Sequence, residues 1–194
     1  MTIATWITLF RMAMVPAFAA CVLFSGREVS DSEEQWWWRG WALACFAAAS
    51  LSDAIDGFIA RRFGQESPLG ALLDPLADKL LLGTALLLLT FGPGWDGEQL
   101  PWWMFGLVIF RDVAMVGTVA WFRVRKVDVA IRPHWTGKLS TCLVMVMVVI
   151  WLLGWWVEIR PLIVFLAAGS VAASTAVYFY QGFHLARAAA SSPS

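Results

Sequence analysis

The stretch SDAIDGFIARRFGQESPLGALLDPLADK, residues 52–79, places four aspartates beside two long apolar segments. Asp53 and Asp56 are three residues apart and Asp74 and Asp78 are four apart, so each pair falls on one face of a helix. At about 2.5 to 3.5 kcal/mol for an acid at the centre of a membrane helix, four lipid-facing acids would cost roughly 10 kcal/mol. The carboxylates therefore need compensation, and metal cations are the natural candidates.

The rest of the chain has the composition of a membrane protein. It has 194 residues, of which 60% are hydrophobic and 14% charged. Six apolar runs are long enough to cross about 30 Å of hydrocarbon at about 1.5 Å per residue. They lie near residues 4–25, 36–60, 70–92, 101–122, 138–157 and 161–183. We therefore predict an all-α integral membrane bundle of six transmembrane helices, forming a single domain over residues 1–194.

The distribution of basic residues predicts the orientation. One face, shared with the N-terminus, carries most of the cations, whereas the opposite face holds only Arg27, Arg39 and Arg160. By the positive-inside rule the basic face is cytoplasmic, and an even number of spans places both termini there. The expected location is the cell (inner) membrane, with the acidic site facing the cytoplasm. The formal net charge is zero, so nothing favours a nucleic-acid partner.

The short connector between the two acidic helices makes them antiparallel neighbours. Their four carboxylates then form one oxygen-rich site, of a size for two divalent ions about 3.5 to 4 Å apart. All-carboxylate ligation favours Mg²⁺ or Mn²⁺ over zinc. Such an ion pair suits displacement at phosphorus, because it neutralises a pyrophosphate and stabilises the leaving oxygen. The alternative is a structural salt-bridge cluster, but too few basic residues lie within these spans to pair all four acids.

Three further residues of the stretch fit a phosphate ligand. Gly57 and Gly70 have no side chain, so a nucleotide can approach the backbone closely. Arg61 follows Gly57 by one turn and can meet phosphate oxygens with its planar fork of donors. Its alternative role is that of a cytoplasmic flanking cation.

The stretch resembles the signature of the CDP-alcohol phosphatidyltransferase family, D-x2-D-G-x2-A-R-x8-G-x3-D-x3-D, at all eight specified positions. The resemblance implies that an alcohol hydroxyl attacks the phosphorus of CDP-diacylglycerol and releases CMP. It implies that Asp53, Asp56 and Asp74 hold the metals and that Asp78 takes the hydroxyl proton and touches the second metal. By the same resemblance, the cytidine diphosphate is surrounded by Gly57, Ala60, Arg61 and Gly70.

The first span, TIATWITLFRMAMVP, resembles the N-x-x-T-x-x-R opening of the bacterial phosphatidylglycerophosphate synthases and cardiolipin synthases of that family. Thr8 and Arg11 match this opening, whereas Thr5 replaces the usual Asn. The resemblance implies that Thr8 contacts the CDP group and Arg11 the acceptor. The alternatives are a helix-start hydroxyl for Thr5 and a snorkelling side chain for Arg11.

The acceptor alcohol is predicted from the fourth and fifth spans. Arg111 and Asp112 lie inside the fourth span, where they either face the site or pair with each other. Arg-Asp with PHWTGKLST resembles eukaryotic-type cardiolipin synthases, whereas phosphatidylglycerophosphate synthases usually carry Arg-Glu. Gly137 and Lys138 resemble the family's Gly-Lys, which implies that Lys138 points back to the site. We expect Lys138, and Arg111 if it faces the site, to bind the acceptor.

We expect glycerol 3-phosphate as the acceptor, with phosphatidylglycerol as the alternative. Membrane lipids are further partners, and a homodimer is possible for this family. An ion-coupled transporter is the competing class, because buried acids also relay protons or bind cations. The clustering of the acids at one membrane face argues against it.

Overall fold

The computed structural model describes residues 3–26, 32–63, 68–92, 99–124, 135–154 and 156–191. Over these ranges the chain is helical and has no strand, which confirms the all-α prediction. The helices are α1 (Ile3–Ser25), α2 (Ser32–Phe63), α3 (Pro68–Phe91), α4 (Trp102–Val124), α5 (Trp135–Leu153) and α6 (Arg160–Ser191). A 3-10 turn, Val157–Ile159, precedes α6.

Three stretches of the described chain are long and apolar enough to cross a bilayer: Thr8–Ser25, Trp135–Leu153 and Val157–Phe183. They belong to α1, to α5 and to the 3-10 turn with α6, and they indicate a membrane protein. The count of six spans and the cytoplasmic placement of both termini remain predictions. The longest helices, α2 and α6, have 32 residues each. At about 1.5 Å per residue each is roughly 48 Å long, more than the hydrocarbon thickness of about 30 Å.

The helices group into two compact units. The first unit comprises residues 1–100 and 148–155, and the second comprises residues 101–147 and 156–194. Accordingly, α1, α2, α3 and the end of α5 belong to the first unit, and the start of α5, α4 and α6 belong to the second. The single domain over residues 1–194 remains a prediction.

In the first unit, α1 packs against both α2 and α3. Phe18 of α1 and Phe46 of α2 are almost fully buried, with ring centroids 5.8 Å apart. Ala42 and Ala49, one turn or so on either side of Phe46, are also fully buried. Small residues let helix backbones approach closely, which is how membrane helices gain packing energy. Pro16 stands inside α1, where it removes one backbone hydrogen bond of the helix.

A buried arginine caps the C-terminal end of α5 in the first unit. Arg39 of α2 donates from Nη2 to the carbonyl oxygen of Trp151 at 3.1 Å and from Nε to that of Leu152 at 3.4 Å. Its Cζ also lies 4.9 Å from the centroid of the Trp36 ring. The last carbonyls of a helix have no partner within the helix and carry partial negative charge. Sequence reasoning treated Arg39 only as a cation of the outer face, whereas the structure shows that it caps α5.

In the second unit, α4 packs against α6. Phe110 and Phe179 stack with ring centroids 6.4 Å apart, and Trp103 and Phe165 lie 6.1 Å apart. Beside the first pair, an open groove of about 570 Å³ runs between the two helices. Its other walls are Ala114, Gly117, Thr118, Tyr178, Gly182 and Phe183.

Candidate active site

The acidic residues lie on two helices that contact each other. Asp53 and Asp56 belong to α2, and Asp74 and Asp78 belong to α3. Because both segments are helical, residues three or four apart share a face, as the sequence predicted. Only residues 64–67 connect the two helices, so the two acidic segments lie close together in the sequence.

Most side chains of the motif lie outside the described part of the structure. This applies to Asp53, Asp56, Gly57, Ala60, Arg61, Gly70 and Asp74, whose predicted roles therefore remain predictions. The side chain of Asp78 is described, and it is half-buried between the fully buried Ala77 and Leu81. Lys79 and Leu80, which follow it, are exposed, so Asp78 lies at the edge of the buried face of α3.

The donor set fits a pair of hard cations. The described side chains form no group of three acids, histidines or cysteines that could hold a metal, and the four-acid set includes side chains beyond that description. What supports the ions is the chemistry of the set: four carboxylates on two contacting helices supply oxygen ligands, which Mg²⁺ and Mn²⁺ prefer.

Thr8 and Arg11 both face the interior of the first unit. They are one turn apart on α1, and both are fully buried. The helix that carries them packs against α2 and α3, the helices that carry the acids. A snorkelling arginine keeps its charged end at the surface. The full burial of Arg11 therefore disfavours that alternative and agrees with an inward-facing role.

In the second unit, Arg111 of α4 contacts the start of α5. Arg111 is 7% exposed, and its Nη2 donates to the carbonyl oxygen of Gly137 at 3.2 Å. The same oxygen accepts hydrogen bonds from the hydroxyls of Ser140 at 3.0 Å and Thr141 at 3.1 Å. The structure thus brings Arg111 to Gly137, the first residue of the Gly-Lys pair that the sequence singled out separately.

Lys138 and Asp112 are the sequence neighbours of Gly137 and Arg111. Lys138 is exposed, so its ammonium group is accessible, and Asp112 is half-buried. A role for Lys138 in acceptor binding remains a prediction.

Sequence reasoning missed one residue next to Arg111. Tyr178 of α6 places its hydroxyl oxygen 2.7 Å from the point where a side chain on Gly137 would begin. The chain contains only two tyrosines, and a phenol within an apolar span was the available signal. Its partner Gly137 lies 41 positions away, so spacing could not reveal the contact.

Comparison with known proteins agrees with the motif. A sequence model of CDP-alcohol phosphatidyltransferases matches residues 1–179. The chain is 36% identical over 139 residues to a protein of Mycobacterium tuberculosis (strain CDC 1551 / Oshkosh) named probable phosphatidylglycerophosphate synthase, covering 72% of this chain and 60% of the relative.

It is also 31% identical over 172 residues to a protein of Escherichia coli (strain K12) named CDP-diacylglycerol–glycerol-3-phosphate 3-phosphatidyltransferase, covering 86% of each chain. The chain thus matches about three fifths of the length of its mycobacterial relative and most of the other. With the family model covering residues 1–179, including both acidic helix segments, the chain belongs to the CDP-alcohol phosphatidyltransferase family.

Proposed function

We propose that this protein transfers a phosphatidyl group from CDP-diacylglycerol to glycerol 3-phosphate and releases CMP. The observation that carries the proposal is the complete eight-residue motif on two contacting helices, α2 and α3. The names of the relatives from M. tuberculosis and E. coli support glycerol 3-phosphate as the acceptor. Family membership also argues against the transporter alternative.

In the proposed reaction, an oxygen of the acceptor alcohol forms a bond to the phosphorus that carries diacylglycerol. The bond between that phosphorus and the oxygen of CMP breaks, and the hydroxyl proton passes to the carboxylate of Asp78. An aspartate is a weak base at neutral pH, so it must be held close to the hydroxyl. Its half-buried position on α3 is consistent with that requirement.

Asp53, Asp56, Asp74 and Asp78 would hold two Mg²⁺ or Mn²⁺ ions. When bound, the ions would neutralise the diphosphate and stabilise the leaving oxygen. We assign the cytidine diphosphate to Thr8, Gly57, Ala60, Arg61 and Gly70, and the acceptor to Arg11, Arg111 and Lys138. The active site would face the cytoplasm from the cell membrane, in a six-span single domain that would be able to associate as a homodimer.

The test is release of CMP from CDP-diacylglycerol by purified protein with Mg²⁺ or Mn²⁺. The acceptors are glycerol 3-phosphate, phosphatidylglycerol, serine and inositol phosphate, each supplied alone. We expect turnover with glycerol 3-phosphate and loss of turnover on chelation with EDTA. Turnover with phosphatidylglycerol instead would support a cardiolipin synthase, and no CMP release with any acceptor would refute the enzyme proposal.

Asp78→Asn is the sharpest variant for the proton transfer. We expect it to abolish turnover while nucleotide binding stays close to wild type, because the amide accepts no proton but keeps the shape of the side chain. Glu33→Gln, an exposed acid on α2, is the matched control and should retain activity. If Asp78→Asn unfolds the protein instead, the carboxylate is structural.

A further inference from the structure

The buried guanidinium of Arg111 is only partly satisfied within the described structure. Its Nη2 donates to the carbonyl of Gly137 at 3.2 Å, whereas its Nε is fully enclosed and has no hydrogen-bond partner among the described residues. An enclosed polar group without a partner costs free energy, and more so when it carries charge. The site around Nε therefore needs a hydrogen-bond acceptor.

Tyr178 reaches the same place from α6. A side-chain carbon built on Gly137 would lie 2.7 Å from the hydroxyl oxygen of Tyr178 and 3.8 Å from Nη2 of Arg111. The phenol and the guanidinium thus both lie against the bare backbone of Gly137. Any larger residue at position 137 would push the phenol away, so the glycine makes this three-way contact possible.

A small cavity adjoins these groups. It has a volume of about 10 Å³ and is lined by Arg111 and Tyr178, with Thr118 and Thr175 among the other walls. Both threonine hydroxyls donate to carbonyls of their own helices, at 2.7 Å for Thr118 and 2.8 Å for Thr175. Their oxygen lone pairs remain able to accept further hydrogen bonds.

The volume and lining of the cavity suit one water molecule. A water needs roughly 10 to 15 Å³ and two to four polar partners. Among the lining residues, Arg111 carries hydrogen-bond donors, and Tyr178, Thr118 and Thr175 carry hydroxyl oxygens that can accept. A water in this position would join the guanidinium to the phenol.

Given the proposed function, we propose that Tyr178 is a positioning residue for Arg111, acting through its contact at Gly137 and one bridging water to orient the guanidinium toward the phosphate of the acceptor. The Gly137 carbonyl holds Nη2 and the water holds Nε, and neither contact uses Nη1. A planar guanidinium fixed at two nitrogens directs the third with little loss of entropy on binding. Tyr178 would therefore act on acceptor affinity without touching the reacting atoms.

The test compares Tyr178→Phe with Tyr180→Phe in the full-length protein. Tyr180 is the chain's other tyrosine, lies two residues further along α6 and is exposed, so it is a matched control. For each variant we would measure KM for glycerol 3-phosphate and for CDP-diacylglycerol, kcat and Tm. The Kd of glycerol 3-phosphate and of inorganic phosphate would be measured by calorimetry.

We expect Tyr178→Phe to raise KM and Kd for glycerol 3-phosphate by about five- to tenfold, the effect of one lost hydrogen bond. KM for CDP-diacylglycerol, kcat and Tm should stay close to wild type, and Tyr180→Phe should change none of these values. Equal behaviour of the two variants overturns the inference. So does a lowered Tm with unchanged acceptor affinity, or an equal rise in both KM values.

Calorimetry separates this inference from the proposed function. If the wild-type protein makes no product from glycerol 3-phosphate but binds it or inorganic phosphate with an affinity that depends on Tyr178, the proposed function fails and the positioning role stands. If the wild-type protein binds neither anion, the positioning role fails too.

Discussion

Arg39 and Arg111 are both buried arginines in apolar surroundings, but they differ in how many of their donors make hydrogen bonds. Arg39 donates to two backbone carbonyls at the end of α5, and its guanidinium lies over the ring of Trp36. Arg111 donates to one carbonyl at the start of α5, and its Nε has no partner among the described residues. We therefore assign Arg39 to the stability of the fold, whereas Arg111, held at Nη2 by one carbonyl, is the arginine proposed to direct Nη1 toward an anionic acceptor.

The largest expected effect is that of replacing Arg111, the arginine assigned to the acceptor. Removing one partner of a buried, hydrogen-bonded charge pair costs about 2 to 5 kcal/mol, and the pair here would be Arg111 and the acceptor phosphate. We therefore expect Arg111→Met to lower kcat/KM for glycerol 3-phosphate by about a thousandfold, or roughly 4 kcal/mol, with Tm close to wild type. Steady-state kinetics of CMP release measures it. Activity within tenfold of wild type would make Arg111 as structural as Arg39.

Arg39→Met should show the opposite pattern. The variant leaves two carbonyls at the end of α5 without their charged donor, so the free energy of unfolding should fall by about 3 kcal/mol. Activity per folded molecule should not change. Reversible unfolding in mixed detergent gives the free energy, and Arg39→Lys should recover only part of it because an ammonium lacks the planar fork. A stable but inactive Arg39→Met would reverse the two assignments.

Gly154→Ala tests the contact of Arg39 with the end of α5 by changing a residue that lies beside the guanidinium. Gly154 has φ 68°, a left-handed conformation, and an added side chain would collide with the Arg39 guanidinium. We expect a loss of about 2 kcal/mol in unfolding free energy. Gly169→Ala in α6, where nothing lies within 4 Å of the added carbon, is the control and should be neutral or stabilising. Equal stability of the two variants would show that the cap tolerates displacement.

Gly137→Ala should give the smallest effect. The added methyl group meets the end of the Tyr178 side chain, which is able to shift by a few tenths of an ångström. We expect KM for glycerol 3-phosphate to rise about threefold to fivefold, or roughly 1 kcal/mol, with little change in Tm. Gly106→Ala in α4, which meets nothing within 4 Å, serves as the control. An unchanged KM would mean that the phenol does not need this glycine.

The sequence predicted the helices better than it predicted these arginine contacts, and the acidic site remains a prediction. Residue periodicity and spacing are local, so the segments of α1 to α6 and the shared faces of the aspartate pairs followed from them. Arg39 bonds carbonyls 112 and 113 positions away, and no local pattern reports such a contact. Arg11 is an intermediate case, since the resemblance suggested its inward role and burial now agrees with it.

The proline inside α1 has a consequence for local motion. Pro16 cannot donate to the carbonyl of Met12, so the ladder of the helix is interrupted between the turn that carries Thr8 and Arg11 and the turns anchored by Phe18. Opening the first part breaks fewer bonds than opening the whole helix. Amide hydrogen exchange should therefore be faster before position 12 than after position 18, which would make the start of α1 a separate cooperative segment.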